Sequence, residues 1–372
     1  MIAVVRVLAF FAGAAVVLAT IASALKTVVV PRAEPVMLAR WVFVAVRRPF
    51  DFRVRRAHTW EEADRIMSRF APFALMTLPL VWVALVILGF MPIYWALGVD
   101  LVEDSFEQSG SSLLTLGFAV DHHTPVIVVM FVEATIGLGL VALLISFLPT
   151  MYQLFSRRET LVSQLDVRAG TPPTPVAMFR RAKVIGWIDY LDGFWLEWER
   201  WFTEVEESHT SYLALSFFRS PHHGRSWITA AGAVLDAASI RLAAIDLPRS
   251  WQAQLCVRSG YLALRRIAGA YGIRYDPDPA PTDPISITRE EFDDVCDQLQ
   301  ELHVPMKADR DQAWRDFAGW RVNYDTALLA LSGLLMAPYS PWSSDRGINY
   351  RVRLLPGNPI VRRRSQVWRS TP

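Results

Sequence analysis

Three groups of polar side chains could do chemistry in a chain that is 52% hydrophobic. Asp121, His122 and His123 are consecutive, and histidine is the side chain that changes charge near neutral pH. Glu133 lies within a run of apolar residues, where a carboxylate is costly and usually faces protein or water. Residues 109–114 are small and rich in hydroxyl groups. These groups offer a pH-dependent charge, a negative charge within an apolar region, and hydrogen bonding.

No catalytic constellation accompanies these groups. The pairs His122-His123 and His222-His223 have neither a nearby nucleophile nor metal-ligand spacing. The sequence lacks a GxGxxG motif after a strand pattern, a P-loop and a GxSxG elbow. Two cysteines, Cys256 and Cys296, are far apart and are expected to be reduced. We expect no enzymatic activity, cofactor, metal site or nucleic-acid partner, and a membrane-bound enzyme is the weakest functional alternative.

Two long apolar runs flank the polar residues. Residues 70–99 contain no charged residue, and residues 125–156 contain only Glu133. About 20 apolar residues span a bilayer, so each run predicts a membrane helix. Residues 2–25 are apolar apart from one arginine and two hydroxyl side chains, and they predict a third. We expect an all-α membrane protein with membrane helices at about 2–25, 70–98 and 125–155.

The polar segment between the two runs, residues 103–125, combines a helical pattern with an extended one. Asp104-Ser-Phe-Glu107 has an N-cap residue with an acid at the third position, which predicts a helix start. The chain then breaks into Thr115-Leu116-Gly117-Phe118-Ala119. A short helix followed by an extended Thr-x-Gly-aromatic segment, between two membrane helices, resembles the pore loop of the two-helix potassium-channel family.

The resemblance implies a fold and a function. It implies a potassium-channel-like pore domain, here with an extra N-terminal membrane helix, in a homotetramer around one axial pore. Backbone carbonyls of a selectivity filter would replace the water around a permeant monovalent cation, potassium in that family. The filter residues would be Thr115, Leu116, Gly117, Phe118 and Ala119. The outer mouth would contain Asp121, His122 and His123.

The resemblance is compatible with two functions. The first is a cation channel that conducts ions through the axial pore. The alternative is a non-conducting membrane sensor or scaffold, which keeps the channel fold for assembly and binds a partner through its cytoplasmic helices. A measurement of cation flux through the reconstituted protein distinguishes the two functions.

The filter departs from the family pattern at its upper end. The fifth position, a glycine in the family, is Ala119, and the acid that usually follows is replaced by Val120. Alternate filter residues need left-handed backbone geometry, which costs a residue with a Cβ roughly 1–2 kcal/mol. We therefore expect a strained left-handed Ala119 or a widened upper filter, and relaxed ion selectivity.

The second flanking run contains residues with alternative interpretations. Glu133 is interpreted as a brace to the pore helix, as a cation-attracting charge in the pore cavity, or as a protonated acid bonded to a neighbouring helix. Gly137 and Gly139 stand where inner helices of the resembled family bend, and small residues also permit close helix packing. Pro149 is expected to break this helix near its cytoplasmic end.

The distribution of basic residues predicts the topology. Ten lysines and arginines lie between Lys26 and Arg69, and none lies between residues 100 and 124. Basic loops face the cytoplasm, so residues 26–69 are expected inside and the polar segment outside. We expect a multi-pass protein of a bacterial inner (plasma) membrane with a cytoplasmic C-terminal domain.

Five regions follow from these patterns. They are an N-terminal membrane helix (1–27), a basic juxtamembrane segment (28–68), a channel-like pore domain (69–157), a helical cytoplasmic domain (158–337) and a basic tail (338–372). Aromatics mixed with arginines in the basic segment are typical of contact with anionic lipids, and a short strand or loop is an equal alternative. Thr59-Trp-Glu-Glu62 is a capping box that predicts a helix start at Trp60. The arginines of the tail are interpreted as a solvated tail or as a further lipid contact.

The cytoplasmic domain has a helical pattern throughout. Its predicted helices lie at about 175–206, 208–218, 226–246, 249–271, 288–303 and 308–336. Asp236 and Arg241 favour a buried soluble helix at 226–246 over a membrane span. Seven aromatic residues between Trp187 and Phe202 predict a core or an inter-subunit seam, with a ligand cage as the weaker alternative.

Overall fold

A computed structural model describes residues 2–29, 37–99 and 102–346 of the chain. These residues form helices, and their only β pairing is an isolated antiparallel bridge between Ile245 and Met306. The α-helices of the described chain are α1 (Ile2–Val28), α2 (Met37–Val54), α3 (Trp60–Ser68), α4 (Phe70–Leu97), α5 (Val102–Leu113), α6 (Thr124–Ala169), α7 (Pro175–Val184), α8 (Asp192–Ser211), α9 (Trp227–Ala243), α10 (Trp251–Ala270), α11 (Arg289–Glu301), α12 (Arg310–Arg321) and α13 (Asp325–Leu335). The predicted all-α class is confirmed.

Three helical stretches are long and apolar enough to cross a membrane. They are α1, the stretch Trp60–Leu97 that contains α3 and α4, and α6. Apolar side chains on their outer faces, among them Phe11, Leu80 and Ile145, are exposed in the single chain. An apolar outer face of this length is favourable when lipid rather than water covers it. These features indicate a membrane protein.

The described chain forms two compact units. The first comprises the described residues of 1–50 and 70–153, and the second comprises those of 51–69 and 154–372. The first unit therefore contains α1, α4 and α5, and the second contains α3 and α7 to α13. Helices α2 and α6 contribute residues to both units.

Small residues let α1 pack closely along α4 in the first unit. A Cβ added to Gly13 would overlap the carbonyl oxygen of Gly89, so the two helix backbones meet here. The apolar core beside this contact includes Val86, Phe90 and Leu113. Since Leu113 ends α5, this core also holds the short helix against its neighbours.

A buried ion-pair network lies at the centre of the second unit. Arg321 of α12 is fully buried and donates to Asp236 of α9 at 2.5 Å and to Asp325 of α13 at 2.7 Å. Burial lowers the pKa of Arg321, but the two carboxylates outweigh it and raise that pKa above its usual value. Helix α9 is buried along nearly its whole length. This confirms the predicted buried helix in place of a membrane span.

Helix α8 brings its aromatic residues into the core of the second unit. Five of them are buried within the single chain: Phe194, Trp195, Trp198, Trp201 and Phe202. The core interpretation of this cluster is therefore correct for these five. Trp187 is half-buried and Tyr190 is exposed; both precede α8.

Four predicted helices differ in their bounds. The predicted helix at 208–218 is divided between the end of α8 at Ser211 and a 3-10 helix, Leu213–Phe217. Helix α6 continues through Pro149 to Ala169, because a proline removes one backbone hydrogen bond and its neighbours maintain the helix. The predicted helix at 175–206 divides at Gly186, whose φ of +70° ends α7. The predicted helix at 308–336 divides between α12 and α13, so that Arg321 and Asp325 reach the buried network.

Helices α2 and α3 occupy most of the described part of the basic segment, so the strand or loop alternative is wrong for residues 37–54. Residues 55–59 form a short non-helical connection between the two helices. The Thr59 hydroxyl oxygen accepts a hydrogen bond of 3.2 Å from the Glu62 N–H, which confirms the predicted cap of α3. Residues 347–372, most of the basic tail, lie outside the described residues. Arg346, just before them, donates to Glu291 at 2.6 Å.

Candidate functional site

Helix α5 is a short helix between two helices of membrane length. It has 12 residues and lies between α4 and α6. Glu103 and Asp104 in its first turn complement the positive end of the helix dipole. Residues 116–123, which follow its C-terminal end, are not helical. The negative end of the dipole is therefore presented to an irregular polar segment.

The TLGFA segment, residues 115–119, has left-handed backbone geometry at two alternate residues. Thr115 has a φ of +55° and Gly117 a φ of +71°. The predicted left-handed Ala119 is wrong, since the other described non-glycine residues with positive φ are His303, Met336 and Trp342. Thr115, rather than Ala119, is the residue whose Cβ is disfavoured in this geometry.

Two polar side chains of α5 hold the upper end of the TLGFA segment. The Ser111 hydroxyl oxygen accepts hydrogen bonds of 3.0 Å from the N–H groups of Phe118 and Ala119. The carbonyl of Ala119 accepts from Gln108 Nε2 at 3.3 Å and from the Ser111 hydroxyl at 3.4 Å. The segment thus folds back on the preceding helix, and its fifth carbonyl is bonded to protein.

The side chains of the TLGFA segment leave large apolar surface exposed. Leu116 is 61% exposed and Phe118 is 63% exposed in the single chain. Val120, directly after the segment, is exposed as well. Contiguous exposed apolar residues mark a surface that contacts another molecule.

Glu133 of α6 is fully buried and bonded to both neighbouring helices of the first unit. Ser109 of α5 donates to Oε1 at 2.5 Å, and Tyr94 of α4 donates to Oε2 at 2.6 Å. Tyr94 also lies 3.5 Å from the Ser112 hydroxyl. This geometry favours the interpretation of Glu133 as a brace over that of a charge exposed to a cavity.

Gly137 and Gly139 differ in their surroundings. A Cβ on Gly137 would overlap the carbonyl oxygen of Leu113, the last residue of α5. A Cβ on Gly139 would meet no atom within 4 Å in the single chain. Gly137 is therefore a close-packing residue, and the bending role expected from the resemblance stays a prediction for both glycines.

Asp121 and His123 form a small cluster after the TLGFA segment. The carboxylate accepts from the His123 N–H at 2.8 Å and lies 2.7 Å from ring atom Nδ1. The backbone N–H, followed by the ring, lowers the pKa of Asp121 below its ordinary value. His122 is exposed and does not share this contact.

Sequence reasoning identified the hydroxyl-rich stretch 109–114, but it missed Tyr94, Gln108 and the partners of the serines. Tyr94, Gln108, Ser109 and Ser111 are uncharged, and their spacing matches ordinary helix surface positions. A signal was nevertheless present, because α5 places four serines and a glutamine between two apolar runs of membrane length. Polar groups in that environment need internal partners, and Glu133 and the TLGFA backbone provide them.

No protein-family model, curated protein or solved structure matches the chain. The likeness to the potassium-channel family therefore rests on residues 103–125 and the two apolar runs beside them. Any functional conclusion depends on the chemistry of this local arrangement.

Proposed function

We propose that the chain is a cation channel of the potassium-channel-like type, in which four copies form one axial pore. The supporting observation is the junction of α5 with the TLGFA segment. A 12-residue helix between two membrane-length helices leads into a segment with left-handed geometry at Thr115 and Gly117. The proposed location is a bacterial inner membrane, with residues 115–123 outside and the second unit in the cytoplasm.

The alternating geometry explains how the segment would coordinate an ion. In an ordinary extended chain, successive carbonyls point to opposite sides. Alternation of left-handed and right-handed residues turns successive carbonyls to the same side, where they replace the water around a cation. The C-terminal end of α5 adds a partial negative charge directly before this row.

Several copies are needed because one segment offers carbonyls from one side only. A cation that loses its water requires carbonyls around its whole circumference. The exposed side chains of Leu116 and Phe118 provide apolar surface that a neighbouring copy would cover. A homotetramer satisfies both requirements.

The contacts of Ala119 support relaxed selectivity for a reason other than strain. Its carbonyl is within hydrogen-bond distance of Gln108 and Ser111, so it is not free to face an ion. A pore with fewer carbonyl rings replaces less of the water around a cation. We infer weak discrimination between potassium and sodium.

A flux assay on the full-length protein in liposomes tests this function. Gly110 is the matched control for Gly117, because a Cβ added at either position meets no atom within 4 Å. The two differ in backbone conformation, since only Gly117 has a positive φ. Native protein and Gly110→Ala are expected to pass potassium and sodium. Gly117→Ala is expected to lose most of the flux, since each copy bears roughly 1–2 kcal/mol of strain.

Two results would overturn the proposal. Native protein that assembles but passes no cation would support the non-conducting sensor or scaffold. Equal flux in Gly117→Ala and native protein would mean that ions do not pass along the TLGFA backbone.

A further inference from the structure

A cavity of about 140 Å³ lies beside the base of the TLGFA segment in the first unit. It lies between α4, the C-terminal end of α5 and the middle of α6. Its walls include Trp82, Val83, Leu113, Thr115, Leu138 and Val141. The cavity therefore touches the first residue of the proposed filter and the helix that carries Gly137.

The walls of this cavity are almost entirely apolar. Among the residues that line it, polar side-chain atoms belong only to Thr115 and Trp82. A protein cavity of about 150 Å³ lined by leucine, isoleucine and phenylalanine stays free of water and binds benzene or xenon. A water molecule needs two to four polar partners, and the side chains of these walls offer two, the Thr115 hydroxyl and the Trp82 indole N–H, which has no hydrogen-bond partner among the described residues. The walls therefore favour an apolar occupant over water.

The cavity opens at the outer surface of the single chain. Two residues of its wall on α6, Leu138 and Val141, are 61% and 55% exposed. Both belong to a helix that is long and apolar enough to cross a membrane. Where such a helix crosses a bilayer, lipid hydrocarbon surrounds the residues in its middle. An apolar occupant is thus already present at the opening.

We propose that the cavity is a binding site for the acyl chain of a membrane lipid. The acyl chain enters past Leu138 and Val141 and contacts Thr115. The site does not depend on ion conduction, so it goes beyond the proposed function. It does place a lipid chain against the residue whose left-handed backbone begins the TLGFA segment.

Photolabelling of the full-length protein tests the site without any current measurement. The protein is placed in vesicles of phosphatidylcholine and phosphatidylglycerol that contain phosphatidylcholine with a diazirine near the end of one acyl chain. Labelled residues are then identified by mass spectrometry. We expect several-fold more label at Val83 and Val141 than at Leu88, an exposed residue of α4 outside the cavity wall.

A filled cavity and a competitor provide two further tests. Leu138→Trp adds volume at the opening and should reduce the label at Val83 several-fold, whereas the control Leu88→Trp should leave it unchanged. Benzene, which fits a cavity of this size, should reduce the label at Val83 in native protein but not at Leu88. The competition needs no variant and therefore holds even if Leu138→Trp fails to fold.

Three results would overturn the inference. Equal labelling of Val83 and Leu88 would mean that the cavity retains lipid no better than the open surface. Label at Val83 that benzene does not reduce would place the probe outside the cavity. Absence of label at Val83 and Val141, with full label at Leu88, would mean that a second copy of the chain covers the opening.

Discussion

Ser109 of α5 donates a hydrogen bond of 2.5 Å to Oε1 of Glu133, which is fully buried on α6. The second carboxylate oxygen accepts from Tyr94 of α4. One buried side chain therefore joins the short helix to both of its neighbours. Because buried polar groups bond to one another or remain unsatisfied, these bonds fix the position of α5.

Replacement of Glu133 by alanine should destabilise the protein. It removes the nearest acceptor of both hydroxyls and leaves only longer contacts, from Ser109 to the Ile87 carbonyl at 3.4 Å and from Tyr94 to Ser112 at 3.5 Å. A poorly satisfied buried donor costs up to roughly 1–3 kcal/mol. Glu133→Gln retains a carbonyl oxygen and should lose less. Thermal unfolding of the full-length protein in detergent measures the difference.

The control for this prediction is Thr135→Ala on the same helix. Thr135 is exposed and donates only to the carbonyl of Phe131, so its removal should change stability little. Equal stability of Glu133→Ala and Thr135→Ala would show that Glu133 does not brace α5.

Gly137→Ala and Gly139→Ala should differ in effect. The added methyl group at 137 meets the carbonyl of Leu113, and an overpacked contact costs roughly 1–3 kcal/mol. The same group at 139 meets open space and should change stability by no more than about 0.5 kcal/mol. The unfolding temperature and cation flux of both variants measure this difference, and both should fall more in Gly137→Ala. Equal loss in both would point to bending of α6, rather than packing, as the role of the two glycines.

Apolar runs and helix caps were enough to predict most of the fold. The starts of α3 and α4 follow from the Thr59 cap and the first residue of an uncharged run. The extension of α6 past residue 155 could not be predicted, because Arg157 and Arg158 indicate a membrane exit whether or not the helix continues. Arg158 is in fact buried and donates to the carbonyl of Leu215, a contact between residues far apart in the chain.

The site was predicted in its residues but not in its geometry. Family resemblance directs attention to Ala119, whereas the backbone is left-handed at Thr115 and Gly117. The difference arises because Ser111 binds the N–H groups of Phe118 and Ala119 and thereby sets the end of the segment. A serine in a serine-rich helix gives no sign of such a contact.

His209 should make the stability of the second unit depend on pH. Burial, and then the charge of Arg158 at 3.2 Å, lower the pKa of His209 well below its ordinary value. A backbone hydrogen bond with Val205 acts in the opposite direction, but burial and Arg158 outweigh it. Below a pH of about 6.5 the unfolded chain binds a proton that the folded chain does not, so the free energy of unfolding falls as the pH falls.

Denaturant unfolding of the full-length protein between pH 7.5 and 5 measures this dependence. The contribution of His209 has a limiting slope of about 1.4 kcal/mol per pH unit. His209→Gln should remove that slope, whereas His223→Gln, at a side chain that is 70% exposed, should not. Identical pH dependence in native protein and His209→Gln would contradict the assignment.

The proposed topology predicts which side of the membrane two exposed residues face. His58 and His122 are both exposed, and the buried Cys256 and Cys296 are replaced by alanine as background. A thiol reagent that does not cross membranes should label His122→Cys from outside intact cells and His58→Cys only after permeabilisation. Equal labelling of both from outside would contradict a cytoplasmic location for residues 26–69.

The reversal potential of the reconstituted full-length protein tests the central claim most directly. With concentrated potassium chloride on one side and dilute sodium chloride on the other, native protein and Gly110→Ala should carry a cation current that reverses at a potential of opposite sign to the chloride equilibrium potential. Gly117→Ala should carry little or no current. The absence of current in assembled native protein, or a reversal potential that follows chloride, would contradict the account of this chain as a cation channel.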